Sequence, residues 1–261
     1  MIVARLSKLA QVVRSTRLAK ALLFHGVAAA AEHRSVLTRD LATVVDIGAN
    51  RGQFALAARR WAPGARVISF EPLPGPCSIF RKVFANDDRV KLHATAIGPG
   101  GERRTMHLSA RDDSSSLLPI SSVQTSLFPG TDEISTLEVG VSQLDKVVSA
   151  DDLRPPSLLK LDVQGFEYEA LKACESLLPR FRWVYCECSF IELYSGQKLA
   201  SDVIALLAGH GFVLVDIRNP TFDGEGRCVQ ADLLFSPGEA LASKAGARNN
   251  GQPAGELSER W

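Results

Sequence analysis

The stretch Val44-Val45-Asp46-Ile47-Gly48-Ala49-Asn50-Arg51-Gly52-Gln53-Phe54 constrains this chain more than any other, because it passes from an apolar run through a glycine turn into a helical pattern. Residues 41–47 read as a buried parallel strand, Gly48 and Gly52 bracket the turn, and Phe54, Ala57, Ala58 and Trp61 recur at helical spacing over 53–61. A strand ending in such a turn aims backbone N–H groups beyond its tip, and glycine lets the main chain approach where a Cβ would collide. The pattern predicts a ligand cradle.

Its spacing is Asp-x-Gly-x-Asn-x-Gly and lacks the Gly-x-Gly-x-x-Gly that seats a pyrophosphate. Asp46 at the strand end repels phosphate and suits a cation. S-adenosylmethionine, with a sulfonium, an ammonium and no phosphate, matches better than NAD. The next strand, 65–70, ends in Glu71-Pro72, roughly 20 residues past the first turn, where an acid accepts hydrogen bonds from both ribose hydroxyls. Asp46, Gly48, Asn50, Gly52, Glu71 and Pro72 are therefore the expected cofactor residues. A third strand is predicted over 90–98, with Ala96 and Ile97 as the adenine wall.

A chain of 261 residues, 46% apolar and 23% charged, suits one large α/β domain with small additions. A net charge of +1 gives no global attraction to nucleic acid, whose binding shows as a basic face. Pro76-Cys77 follows the second strand, and Asn219-Pro220 comes too late and lacks a following aromatic, so neither reads as a base-methylating motif. No nucleic-acid partner is expected. The five cysteines are odd in number and lie mostly in apolar runs, which fits small buried hydrophobes in a reducing, cytoplasmic setting. Cys186 and Cys188 have no matching Cys or His pair, and zinc is rejected there.

Residues 1–38 mix apolar Ile2, Leu6, Leu9 and Val13 with Arg5, Lys8, Arg14, Arg17 and Lys20, and no acid precedes Glu32. Two readings stay open: a helical cap packed on the domain, and a basic amphipathic helix resting on anionic lipid, a peripheral membrane contact. The apolar run at 21–31 is too short to span a bilayer. The main domain is placed at 39–236, and 237–261, rich in Ala, Gly, Ser and Asn, reads as a disordered tail.

Between predicted strands 103–108 and 136–141 lies a small, polar, turn-rich segment, 110–118, which reads as the long mobile tip of a hairpin insertion. Ser115 and Ser116 there are candidate acceptor contacts. The fourth strand, 157–162, ends in Asp162, and the fifth, 183–188, carries Glu187 to the neighbouring edge, where open α/β sheets hold ligands. Two carboxylates on adjacent strand tips repel unless they work, as a general base, as a grip on the methionine ammonium or as ligands of Mg²⁺. Tyr194 and Gln197 follow in a loop that could touch an acceptor. Strands at 212–217 and 228–235 complete a seven-stranded, mostly parallel sheet with one antiparallel strand.

Val45-Asp46-Ile47-Gly48-Ala49-Asn50-Arg51-Gly52, Ser69-Phe70-Glu71-Pro72, Ser115-Ser116-Leu117, Lys160-Leu161-Asp162-Val163-Gln164-Gly165-Phe166-Glu167, and Glu187-Cys188-Ser189 with Leu193-Tyr194 together resemble the FkbM family of methyltransferases, over about residues 40–235. The resemblance implies a class I, Rossmann-like S-adenosylmethionine-dependent fold. It also implies methyl transfer to oxygen, commonly on sugars of glycolipids, oligosaccharides or polyketide-type natural products. By the same likeness Asp46, Gly48, Asn50 and Glu71 carry over as cofactor residues. Asp162 and Glu167 match an acidic segment whose division of labour the likeness leaves open, with Glu167 a candidate substrate residue.

The mechanism expected is in-line O-methylation with Asp162 or Glu187 as base or Mg²⁺ ligand. The rival expectation is a non-catalytic module of the same fold that docks on a membrane or a partner enzyme.

Overall fold

The computed structural model describes residues 15–101 and 103–239. The disordered-tail expectation from residue 240 onward, and the basic segment at 1–14, fall outside the described residues.

The first helix, α1 (Thr16–His25), is capped by the Ser15 side chain and stopped by Gly26 in the left-handed region. It buries Leu18 and Ala21, and a 3-10 turn (Ala31–Val36) follows. Then come β1 (Thr43–Ile47), α2 (Gln53–Trp61), β2 (Arg66–Phe70), α3 (Pro74–Val83) and β3 (Val90–His93). Next are β4 (Ala96–Ile97), β5 (Arg103–Ser109), α4 (Ser122–Leu127) and β6 (Glu133–Ser142). The chain closes with β7 (Ser157–Leu161), α5 (Glu167–Lys172), β8 (Trp183–Ser189), α6 (Ala200–Gly209), β9 (Phe212–Phe222) and β10 (Cys228–Pro237).

Seven strands form one sheet in the order β3-β2-β1-β7-β8-β10-β9. All pairings from β3 to β8 are parallel, and β10 runs antiparallel to both β8 and β9. This is the Rossmann-like class I methyltransferase arrangement. Every residue of β1 and of β7 is buried, as a central parallel strand covered on both faces requires. One apolar cluster on one face gathers Val45, Ile68, Leu159 and Val184; a second, on the other, gathers Val44, Val67, Leu158 and Tyr185. Leu18, Ala21, Val27 and Val36 belong to the second, so the segment before β1 shares the core of the domain.

Two expectations are corrected. The strand predicted over 90–98 is broken: β3 ends at His93, and β4 leaves the large sheet to pair in parallel with β6. Thr95, between them, donates its hydroxyl to Gly140 O at 3.0 Å, which ties the break to the insertion. The insertion is a hairpin of β5 and β6, but the segment 110–118 is not a loose tip. It folds back so that His107 and Ser116 exchange backbone hydrogen bonds of 2.7 and 3.1 Å, which buries Ser114, Ser115 and Ser116. Met106 and Val139 of the hairpin then pack on Leu73, just past β2.

Candidate active site

A cavity of about 280 Å³ opens at the carboxyl ends of β1, β2 and β7, where the strand order reverses and open α/β sheets bind ligands. The glycine turn forms its floor. Gly48 has φ +80°, and a Cβ there would stand 1.8 Å from Asp162 O, so only glycine lets β1 turn beside the end of β7. Gly52 also has a positive φ, but its missing Cβ makes room for Phe84 and Phe80, at 2.6 and 3.0 Å. It serves packing of α2 on α3 and does not line the cavity.

Glu71 lines the cavity while 5% exposed. Asn50 N–H donates to its Oε2 at 2.9 Å and Leu73 N–H to its Oε1 at 2.8 Å. Burial pushes its pKa up to about 7, against the pull of these two amides. Each carboxylate oxygen has two lone pairs, so the amides fix the group and leave one acceptor site per oxygen for a ligand.

Cross-strand partners in a sheet point to the same face, and Asp46 pairs with Lys160, Lys160 with Tyr185, and Glu187 with Asp232. The result is a polar seam across one face of four strands. Lys160 Nζ lies 3.1 Å from Asp46 Oδ1 and 3.6 Å from Asp162 Oδ2, and it donates to Gly48 O at 3.0 Å. Burial works against the ammonium, but Asp46 and Asp162 outweigh it and hold Lys160 charged, above the usual lysine range. Gln164 Nε2 donates to Asp162 Oδ1 at 2.7 Å and to Glu187 Oε2 at 2.9 Å, while its Oε1 accepts from Tyr194 Oη at 2.9 Å.

The two carboxylates are driven apart. Burial opposes the charge on Asp162, yet Lys160 and Gln164 prevail and hold it below the usual carboxylate range. Burial, with Asp162 and Asp232 nearby, pushes Glu187 well above it. The surroundings thus favour the charged form of Asp162 and the protonated form of Glu187.

Of the residues expected from sequence, Gly48, Asn50, Glu71, Pro72, Ala96, Ile97, Ser115 and Asp162 line the cavity. Six others do not. Asp46 is fully buried behind Lys160, Gly52 packs on phenylalanines, and Glu187 stands behind Gln164. Ser116 is fully buried with its hydroxyl accepting from Leu118 N–H. Glu167 accepts from Val163 N–H and Gly165 N–H, so it braces the turn after β7, with burial pushing its pKa to about 7. Tyr194 is 1% exposed and donates to Ser114 O and Gln164 Oε1.

The lining residues that the sequence reading did not assign include Lys160, Gln164 and His33. Lys160 had a signal, since a lysine inside the apolar run 157–161 needs a buried counter-charge. Gln164, at φ +54°, and His33, contributed from before β1, had none at the level of local pattern.

The lining fits S-adenosylmethionine: an anchored acid with spare acceptor sites, apolar walls from Phe70, Ala96 and Ile97, and a glycine floor. It does not fit Mg²⁺. The oxygens of Asp162 and Glu187 that face each other are already bridged by the Gln164 amide, and Lys160 stands where a cation would balance Asp162. Among the described residues no group of three or more His, Cys, Asp or Glu could hold a metal ion.

Residues 46–214 match the family described as the methyltransferase FkbM domain. The chain is 30% identical, over 69% of its length and 76% of the relative, to 31-O-demethyl-FK506 methyltransferase FkbM of Streptomyces tacrolimicus. It is 28% identical to the 2-O-methyltransferase NoeI of Sinorhizobium fredii, over 66% of this chain and 74% of that one. With the hexuronic acid methyltransferase AglP of Haloferax volcanii it shares 26%, over 65% and 68%. Sheet order and sequence agree, and the chain belongs to the FkbM family of S-adenosylmethionine-dependent methyltransferases.

Proposed function

We propose that this methyltransferase acts on a hydroxyl of an uncharged acceptor, a sugar or a sugar-bearing natural product. Two relatives carry an O-methyl position in their names and a third a hexuronic acid. The observation that carries the reading is the placing of Glu71 and Asp162 on one cavity, from the ends of β2 and β7 on either side of β1. Glu71 accepts from the ribose hydroxyls. Asp162, ionised and 37% exposed at its side chain, accepts a hydrogen bond from a hydroxyl of the acceptor beside the one that is methylated, and so sets the angle of the attacking oxygen. S-adenosylmethionine, when bound, supplies a methyl made electrophilic by its positive sulfur.

Charge argues for an uncharged acceptor. Asp112 and Asp113 pair with Arg51 and Arg111 at the rim, while Asp162 faces the cavity as an ionised carboxylate, so a uronate placed beside it would meet like charge. Among the described residues no helix is long and apolar enough to cross a membrane, so a lipid-linked acceptor would be met without a spanning anchor in that part of the chain.

The test is calorimetric binding of S-adenosylmethionine, then detection of S-adenosylhomocysteine with methyl glycosides, methyl uronides and hydroxylated macrolides. Turnover with neutral glycosides above uronides supports the reading. Preference for uronides, or methylation of nitrogen or carbon alone, overturns it.

A further inference from the structure

We propose that His33, which lies ahead of the family match, takes the proton of the acceptor hydroxyl, its ring fixed by Tyr185 and Asp232. The proposal rests on methyl transfer to oxygen as read above.

His33 lines the same cavity as Asp162 and Gln164. The segment that carries it is pinned by Ala30 N–H donating to Gln53 O at 3.0 Å, and the ring packs on Phe54 and edge-on to Tyr185, each 5.5 Å between centroids. His33 Nδ1 lies 2.9 Å from Tyr185 Oη. Tyr185 has one proton to give, and it goes to Asp232 Oδ2 at 2.8 Å. Asn219 Nδ2 donates to the same carboxylate oxygen at 2.7 Å and to Tyr185 Oη at 3.3 Å, which holds the phenol as an acceptor towards all other partners. The contact with His33 therefore requires the hydrogen on Nδ1. That choice leaves the lone pair on Nε2, which has no protein partner among the described residues.

Both strand-tip carboxylates are already engaged by the protein: Asp162 Oδ1 and Glu187 Oε2 accept from Gln164 Nε2, and Asp162 Oδ2 lies 3.6 Å from Lys160 Nζ. In the step itself the acceptor O–H bond breaks and its proton passes to Nε2, while an oxygen lone pair forms the new bond to the methyl carbon. The pair of the old carbon–sulfur bond leaves with sulfur, and the imidazolium later gives its proton to solvent. Tyr185 and Asp232 are positioning residues: they set the tautomer and touch no reactant.

Two readouts test this on the full chain. Nitrogen-detected NMR of the neutral ring, which needs no acceptor, is expected to show His33 with Nδ1 protonated and Nε2 bare, and the double variant Tyr185→Phe/Asp232→Ala, which also removes the carboxylate 3.5 Å from Nδ1, to shift it towards the other tautomer. Nε2 protonated in the wild type overturns the proposal. The second compares His33→Asn with wild type, because an asparagine amide can still donate to Tyr185 but cannot take a proton. With methyl α-glucoside as acceptor, turnover is expected to fall by about 10²–10⁴-fold while S-adenosylhomocysteine binding stays within about threefold. Added imidazole is expected to restore part of the rate to His33→Ala. Wild-type turnover in His33→Asn overturns the proposal. If the wild type methylates no glycoside, the acceptor reading fails instead, and the tautomer decides the proposal alone.

Discussion

Lys160 Nζ lies 3.1 Å from Asp46 Oδ1 in the middle of the parallel sheet, with the two side chains 6% and 0% exposed. Asp46 thus meets its cation inside the protein, and any ligand feels the pair rather than a bare carboxylate.

Removing one partner leaves the other buried and uncompensated, at a cost of about 3–5 kcal/mol. Lys160→Met is expected to lower stability by that order in urea denaturation. The double variant Lys160→Met/Asp46→Asn is expected to recover more than half of the loss. A single variant as stable as wild type would show that Asp46 is not charged in the folded protein.

Glu71 sets a pH dependence with two opposite signs. Its pKa is about 7 folded against an ordinary 4.5, so the native state binds the extra proton across that window. Stability contributed by this group is present below pH 4.5 and falls as pH rises to about 7, by about 3 kcal/mol in all. Glu167 adds a fall of the same sign over the same window. In the role proposed for Glu71 ligand binding runs the other way, because ribose hydroxyls would donate to the ionised form. S-adenosylhomocysteine affinity is expected to tighten as pH rises through about 7, with proton release into the buffer. Calorimetry in buffers of different ionisation enthalpy reads both, and in Glu71→Gln the proton release is expected to vanish.

Arg51, in the glycine turn, donates Nε and Nη2 to Asp112 Oδ2 at 3.0 and 2.6 Å, and so ties the turn to the insertion that roofs the cavity. Both side chains are more than a third exposed, and such pairs contribute only about 0.2–1 kcal/mol. Asp112→Asn is therefore expected to weaken S-adenosylhomocysteine binding by no more than about fivefold, with the difference shrinking at high salt. A loss of about a hundredfold would mean that Asp112 itself holds the ligand.

Gln164 occupies the space between Asp162 and Glu187 that a divalent ion would need. Turnover is expected to be unchanged by EDTA and by added Mg²⁺. Hydrogen bonds to charged groups contribute about 1.5–3 kcal/mol, so Gln164→Leu is expected to slow turnover about 10–100-fold. Gln164→Gly separates backbone from side chain, since it relieves the φ of +54° yet loses the same bridge. A rate restored by glycine would assign the effect to the backbone.

The glycine turn and the Glu71 strand end were legible because their signals are local. A strand, a turn and a helix start place Gly48, Asn50 and Glu71 within one strand–helix–strand unit, whose geometry follows from backbone sterics and apolar periodicity. The broken third strand was not legible, because residues 90–98 read as one continuous strand, and only pairing of Ala96 and Ile97 with Val141 and Ser142 pulls the chain off the sheet. The polar segment 110–118 looked mobile for a similar reason: its hydrogen-bond partners lie on His107 and Ser109, on the far side of the turn.

The order of glycines and strand-end acids, read along the chain, was enough to determine the sheet class and to place Gly48, Asn50 and Glu71 at the mouth of one cavity. Only the tertiary structure decided which charges face one another. It set Lys160 against Asp46, inserted Gln164 between two carboxylates and brought His33 to the same cavity from ahead of the first strand. Periodicity tells which face a side chain takes, but Coulomb energies depend on separations across strands far apart in sequence, and folding alone sets those distances.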